Sequence, residues 1–284
     1  MRKISAKSAK SATNLVIFAV LILLSVLFLI PVFLVLMNSF KSRFYISGEP
    51  FAFPNATTFV GFQNYISGLT SSGFFAAIGR SFFITVVSVA AILVFCSMTA
   101  WYLLRMRGKL SRMLYYLFVF SMIVPFQMVM YTMTFTVNRL GLANLPGIVP
   151  VYLGFGAGLS VFMMSGFLKS IPHEIEEAAT IDGASPIGTF FLVVFPILKP
   201  TTVTVAILNA MWIWNDYLLP YLVLGTDRKT IPVAIQIAMQ GAYGATDYGG
   251  LMAMLVLAIL PIVIFYLFGQ KYIIKGVVAG AVKG

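Results

Sequence analysis

The stretch EIEEAATIDGASP, residues 174–186, holds Glu174, Glu176, Glu177 and Asp182, half of the eight acidic residues in a chain of 284. Carboxylates so concentrated on one short stretch suit docking on a partner protein, and no catalytic residues are read in this chain. The chain has a single His, His173, and a single Cys, Cys96, which excludes a usual zinc site or a Cys/His nucleophile pair. No Gly-x-x-x-x-Gly-Lys-Ser/Thr sequence occurs, so the chain cannot cradle ATP phosphates in the P-loop manner. Any energy from ATP must arrive through another subunit.

Local rules give the acidic stretch a shape. Pro172 fits a first helical turn, where a missing N–H costs nothing. Glu174, Glu176 and Glu177 then fall in early turns, where the helix dipole favours negative charge. Ile175, Ala178 and Ala179 share one narrow face that another backbone can approach closely. Gly183 is a natural stop, and Ser185 followed by Pro186 reads as a cap and first position of a second helix. The expected form is a rigid knob suited to docking in a cleft. On composition alone, a solvated loop balancing nearby lysines fits equally well.

The elements that carry this knob are oily. Hydrophobic residues make up 60% of the chain and charged residues 10%, where a soluble domain carries about a quarter charged. The chain reads as an all-α integral membrane protein. Apolar runs near 20 residues long fall at about 15–37, 82–104, 114–137, 149–168, 201–224 and 251–270. The first follows a basic segment, residues 1–14, and has no small-residue cleavage site after it, so it reads as a retained anchor. With the N-terminus inside, thirteen Lys and Arg fall on the inner side and six on the outer, which favours six spans with both termini inside. Segment 169–200 and the tail 271–284 then face the cytoplasm. The net charge of +11 follows this membrane asymmetry and does not point to nucleic acid. Cys96, in an apolar run, reads as a small buried hydrophobe.

A few other residues stand out against the apolar background. Pro31, Pro125 and Pro261 fall inside spans, where membrane helices tolerate kinks. The Gly-x-x-x-Gly spacing of GFGAG, 154–158, would permit close helix contact, but its place near a span end favours loop punctuation. Asp216 is a carboxylate within an apolar run, and such groups are expensive. Asn209, Trp212 and Asp216 lie on successive turns, with Asn215 adjacent, and offer a stacking surface and hydrogen-bond acceptors of the kind a sugar path uses. A helix-end cap with tryptophans against another subunit explains them as well. Gln127, beside Pro125, is expected to hydrogen bond between helices.

EEAATIDGASPIGTFFLVVFP resembles the EAA loop of ABC importer permeases, with Glu177, Ala178, Ala179 and Gly183 in place and Pro196 ending the motif. Val193 and Phe195 stand where the family has Ile and Leu, both conservative apolar changes. Together with LNAMWIWNDYLLP and the terminal KGVVAGAVKG, it is similar to the MalG-like subunit of carbohydrate ABC importers over nearly the whole chain. The resemblance implies the type I importer permease fold and a coupling helix at about 173–184 seated in a cytoplasmic ATPase. Glu177 would be its principal polar contact, with Glu174, Glu176 and Asp182 around it. In this family the sugar contacts lie mainly in the partner permease. The loop 225–250, with Tyr243, Asp247 and Tyr248, resembles the one that meets the substrate-binding protein, and the tail approaches the ATPase dimer.

The implied partners are a second, MalF-like permease, the ATPase dimer that carries ATP and Mg, an extracellular or periplasmic sugar-binding protein, the sugar itself and the bilayer of a bacterial cell membrane. The chain would bind no cofactor. A stand-alone ion-coupled carrier is the alternative, but carriers usually show inverted repeats and several ionisable groups at mid-membrane. Only one such carboxylate and no obvious repeat are visible here.

Overall fold

A computed structural model describes the backbone of residues 2–71, 73–106, 108–240 and 246–281, and the side chains of 13–70, 73–106, 108–240 and 246–270. These residues form helices and connecting turns, with no β-strand among them. Helix α1 (Arg2–Asn38) is followed by the short α2 (Arg43–Ile46) and α3 (Gln63–Ser71), then by the long α4 (Phe74–Arg105). Next come α5 (Lys109–Ser121), α6 (Phe126–Arg139) and α7 (Ile148–Leu168). Short helices α8 (Glu174–Ile181) and α9 (Pro186–Thr189), a π-helical turn (Phe190–Val194) and α10 (Phe195–Ile197) lead into α11 (Lys199–Asn215). The chain ends with α12 (Leu218–Leu224), α13 (Ile231–Gln240) and α14 (Tyr248–Ala281).

Four stretches are long and apolar enough to cross a membrane singly: Thr13–Asn38, Phe74–Arg105, Ile148–Leu168 and Tyr248–Gln270. Two bent pairs, Lys109–Ser121 with Phe126–Arg139 and Pro186–Ile197 with Lys199–Asn215, bring the number to six. The first bend breaks the continuous helix expected at 114–137; the second, at Leu198, lies before the run expected at 201–224, which is itself divided at Asp216 into α11 and α12. Pro125, with ψ 138° before α6, lacks an N–H and forces the chain out of the helix, and the axes turn by 107°. Pro31 and Pro261, by contrast, sit inside unbroken helices. The fifth run stops at Asn215 because the extended Asp216 closes α11 and its side chain takes up backbone N–H groups. Residues 225–250, expected as a loop, contain α13, and the backbone of 271–281, expected as a loose tail, continues α14.

The chain packs as two units, Met1–Ser72 with Ala238–Ile259, and Gly73–Ile237 with Leu260–Gly284. In the first, Lys41 is buried and its Nζ donates to the Glu49 and Ala52 carbonyls at 2.5 and 2.9 Å, folding the segment after α1 back on itself. Asn64 donates to the Ser39 and Lys41 carbonyls, both at 2.8 Å. The side chains of α1 from 13 to 33 are all exposed.

In the second unit the core lies where α4, α7 and α11 meet, around Ile84, Ile92, Tyr152, Val161, Met164 and Val205. The buried positions of α4 and α7 include many small residues: Ala77, Ser81, Ser88, Ser97 and Ala100 on one, and Gly156, Ala157, Gly158, Ser160 and Ser165 on the other. Small residues let membrane helices approach closely, which gives van der Waals contact where lipid supplies no hydrophobic drive. GFGAG is therefore not loop punctuation. It lies inside α7, and its contact glycines are Gly156 and Gly158 rather than Gly154.

Candidate coupling site and the polar residues of the fifth span

The acidic stretch folds as its local signals direct. Helix α8 begins at Glu174 with all three glutamates in its first turn. It ends in a paired hydrogen-bond closure, with Gly183 N–H donating to the Thr180 carbonyl and Ala184 N–H to the Ala179 carbonyl, both at 3.0 Å. This closure places Gly183 at φ +87°, where a side chain would be strained. The Ser185 hydroxyl then accepts from Gly188 N–H at 3.2 Å and caps α9, with Pro186 in its first turn. Two short helices joined by the turn 182–185, which bends at Gly183, make a compact projection.

Its carboxylates divide. Glu174, Glu177, Ala178, Asp182 and Gly183 are exposed, as is Ile175, while Ala179 is half-buried. Glu177 keeps a side chain 63% exposed, with Oε1 2.9 Å from Nδ1 of the half-exposed His173. Glu176 was grouped with these residues in the sequence, but it is only 5% exposed and turns into the protein. Its Oε1 lies 2.6 Å from Arg105 Nη2 and its Oε2 accepts from Trp101 Nε1 at 2.9 Å. Neither Trp101 nor Arg105 is marked by its sequence neighbourhood. Beside them, a cavity of about 560 Å³ is lined by Trp101, Arg105, His173, Glu176, Thr180 and Thr189, among others.

Two of the singled-out residues of the fifth span, Trp212 and Asp216, meet at Tyr152 of α7. Tyr152 is fully buried; its hydroxyl donates to Asp216 Oδ2 at 3.1 Å and its ring meets Trp212 edge-on, centroids 5.5 Å apart. Asp216 Oδ1 accepts from Leu218 and Leu219 N–H at 3.0 and 3.4 Å. This carboxylate thus ends α11, starts α12 and ties both to α7. Asn209, 3% exposed, donates to Ser160 Oγ and the Val205 carbonyl at 3.2 and 2.9 Å. Trp212 and Asn215 remain exposed. Gln127 does not sit between helices; it lies exposed in the first turn of α6 because Pro125 breaks the span just before it. An apolar cavity of about 370 Å³ between α4, α11 and α14 is lined by residues such as Phe82, Trp214, Pro261 and Phe265, and by none of Asn209, Trp212 and Asp216.

The Tyr152–Asp216 contact gives a direct test. Tyr152→Phe keeps the ring against Trp212 and removes one donor from a part-buried carboxylate, at a cost of about 1–3 kcal/mol. The thermal unfolding midpoint of the protein in lipid or detergent falls accordingly. An unchanged midpoint would remove the hydroxyl from the set of contacts holding α7 to the α11–α12 junction.

Of the residues expected to meet a binding protein, Asp247 caps α14 by accepting from Gly250 N–H at 3.2 Å, and also takes the Ser67 hydroxyl at 3.3 Å. Tyr248 is exposed, and Tyr243 lies outside the described residues.

Residues 92–278 match the family described as binding-protein-dependent transport system inner membrane component. Among curated proteins, the chain is 38% identical over 263 residues to the probable starch degradation products transport system permease protein AmyC of Thermoanaerobacterium thermosulfurigenes, covering 92% of this chain and 94% of that one. It is 36% identical to the multiple sugar-binding transport system permease protein MsmG of Streptococcus mutans, covering 91% and 93%. A chain of a bacterial ABC transporter involved in the import of the acidic polysaccharide alginate shares the fold, with a TM-score of 0.78 at 24% identity, covering 93% of this chain and 97% of that one. On this agreement of sequence, fold and membrane-crossing pattern, the chain belongs to the binding-protein-dependent inner membrane components, the multi-pass permease subunits of ABC transporters, in which a separate subunit hydrolyses ATP.

Proposed function

We propose that this chain is one of two permease subunits of an ATP-driven importer of sugars, an oligosaccharide first among them, in a bacterial cytoplasmic membrane with both termini inside. The observation that carries the reading is the exposed acidic projection of α8. Glu177 stands out from it beside Ala178 and the Gly183 turn, on a chain similar to permeases named for starch degradation products and multiple sugars. A helix with small exposed residues and an unburied carboxylate offers an ATPase both close approach and a charge to pair.

In this reading α8 docks on a cytoplasmic ATPase dimer through Glu174, Glu177, Ala178, Ala179, Asp182 and Gly183. ATP and its magnesium stay with that subunit, and this chain binds no cofactor. A second permease completes the path, and an external binding protein delivers the sugar near Asp247 and Tyr248. Transport is alternating access between two arrangements of the helices, biased oppositely by ATP and by the loaded binding protein. Trp212 and Asn215 are the residues open to the path. Asn209 and Asp216 spend their polar groups on holding α7, α11 and α12 together.

The test is reconstitution in liposomes. The four-component system takes up maltodextrins or another sugar from a screened panel only with ATP, and this chain alone takes up none. Uptake by the chain alone, driven by a proton or sodium gradient, would replace this reading with that of an ion-coupled carrier.

A further inference from the structure

We propose that Trp101, Arg105 and Glu176 form a fixed joint that makes the coupling helix α8 and the membrane helix α4 a single rigid lever, so that movement imposed on α8 enters the bilayer through α4. The proposal rests on the docking reading above and adds the route by which force leaves the docked helix.

Three donor atoms from two side chains of α4 meet the two oxygens of one carboxylate. Arg105 Nε donates to Oε1 and Oε2 at 2.9 and 3.1 Å, Arg105 Nη2 to Oε1 at 2.6 Å, and Trp101 Nε1 to Oε2 at 2.9 Å. One ion pair with one contact would act as a swivel. Donors arriving at both oxygens fix orientation as well as distance, the property that separates a guanidinium fork from a point charge. Arg105 and Trp101 lie one turn apart on α4, so both reach the same side of α8. Arg105 Nη2 also donates to the Ile171 carbonyl at 3.3 Å, which ties in the linker before α8. On the other side the Trp101 ring packs on Phe190, 5.6 Å between centroids, which ties in the turn after α9. Each charge also sits where its helix favours it, Arg105 in the last turn of α4 and Glu176 in the first turn of α8. Two adjacent glutamates therefore have opposite assignments: Glu177 grips outward and Glu176 transmits inward.

The joint is tested in the assembled transporter, with this chain, the second permease and the ATPase in lipid nanodiscs. Spin labels go on Tyr102→Cys of α4 and Ile181→Cys of α8, both exposed, while the native Cys96 is buried. In the otherwise unchanged protein, the label-to-label distance is narrow and constant to within about 2 Å, the scale of ordinary helix shifts, between the nucleotide-free and the ATP–vanadate states. Glu176→Gln and Arg105→Lys broaden the distance and let it move with nucleotide. Trp101→Phe, which keeps an aromatic ring towards Phe190 but loses the N–H together with the five-membered ring, does so more weakly and serves if the first two fail to assemble. A nucleotide-dependent distance with the joint intact overturns the proposal, and so does an unaltered narrow distance in both joint variants. Ala178→Cys cross-linked to the ATPase reports docking separately. Loss of that cross-link with the joint intact sinks the docking reading, whereas a cross-link accompanied by a mobile α4–α8 distance sinks the rigid lever alone.

Discussion

Glu177→Lys abolishes ATP-driven uptake while leaving a normally inserted, normally folded chain. The Glu177 side chain is 63% exposed and, among the described residues, pairs with the exposed His173, so the fold hardly uses it. Surface substitutions of this kind change stability by about 0.5 kcal/mol or less. At a docked interface the same reversal sets a cation against the basic or N–H group that met the carboxylate, and like-charge juxtaposition of this kind costs several kcal/mol. Since 1.4 kcal/mol is a factor of ten, uptake falls by about 100-fold or more. The control is its neighbour. Glu176→Lys breaks a buried pair, worth about 3–5 kcal/mol when one partner is removed. That change shows first as lower membrane yield and a lower unfolding midpoint. Uptake per molecule of inserted protein, measured beside yield, separates the two. Normal uptake in Glu177→Lys rules out its docking role.

The second large effect belongs to Gly158. A Cβ there would lie 2.8 Å from the Phe118 carbonyl oxygen, 2.7 Å from Ser121 Oγ and 2.8 Å from Met122 Cγ. The first of these atoms is backbone and cannot rotate away, so Gly158→Ala forces α5 and α7 apart. Overpacking of this kind costs about 1–3 kcal/mol for a small addition, and Gly158→Val lies at or beyond the upper end. Gly154→Ala, four residues earlier on the same helix, meets nothing within 4 Å and is the matched control. Unfolding midpoints measured in one detergent read the difference directly, and equal midpoints for the two alanine variants would disprove close α5–α7 packing at this glycine.

These sites differ in how far they were legible before any coordinates. The shape of α8 and α9 is readable because every signal is local: Pro172, the acidic first turn, Gly183, Ser185 and Pro186 act within a few residues of where they stand. The six apolar runs were readable for the same reason. The separation of Glu176 from Glu177 was not, since it depends on a guanidinium 71 residues away. Nor was the use of Asn209, which rests on Ser160, 49 positions earlier. Tyr152 carries no motif and gains meaning only when α7 lies beside α11. Pro125 was visible but ambiguous, because a proline in a membrane helix bends it or breaks it according to what neighbouring backbone can satisfy the freed carbonyls. The place of GFGAG near the end of an apolar run suggests loop punctuation, but only the neighbouring helices show that Gly156 and Gly158 lie inside α7 at close contacts.

The bareness of α1 carries a consequence for how the molecule comes into being. From 13 to 33 its side chains are all exposed, with Phe33 set edge-on to Phe53 near the far end, yet its backbone satisfies itself turn by turn. Such a segment needs no folded remainder to become stable in lipid, so it can be inserted first during synthesis and wait there as an independent rod. Taken out of lipid, its exposed apolar side chains from Leu15 to Phe33 must be covered by detergent.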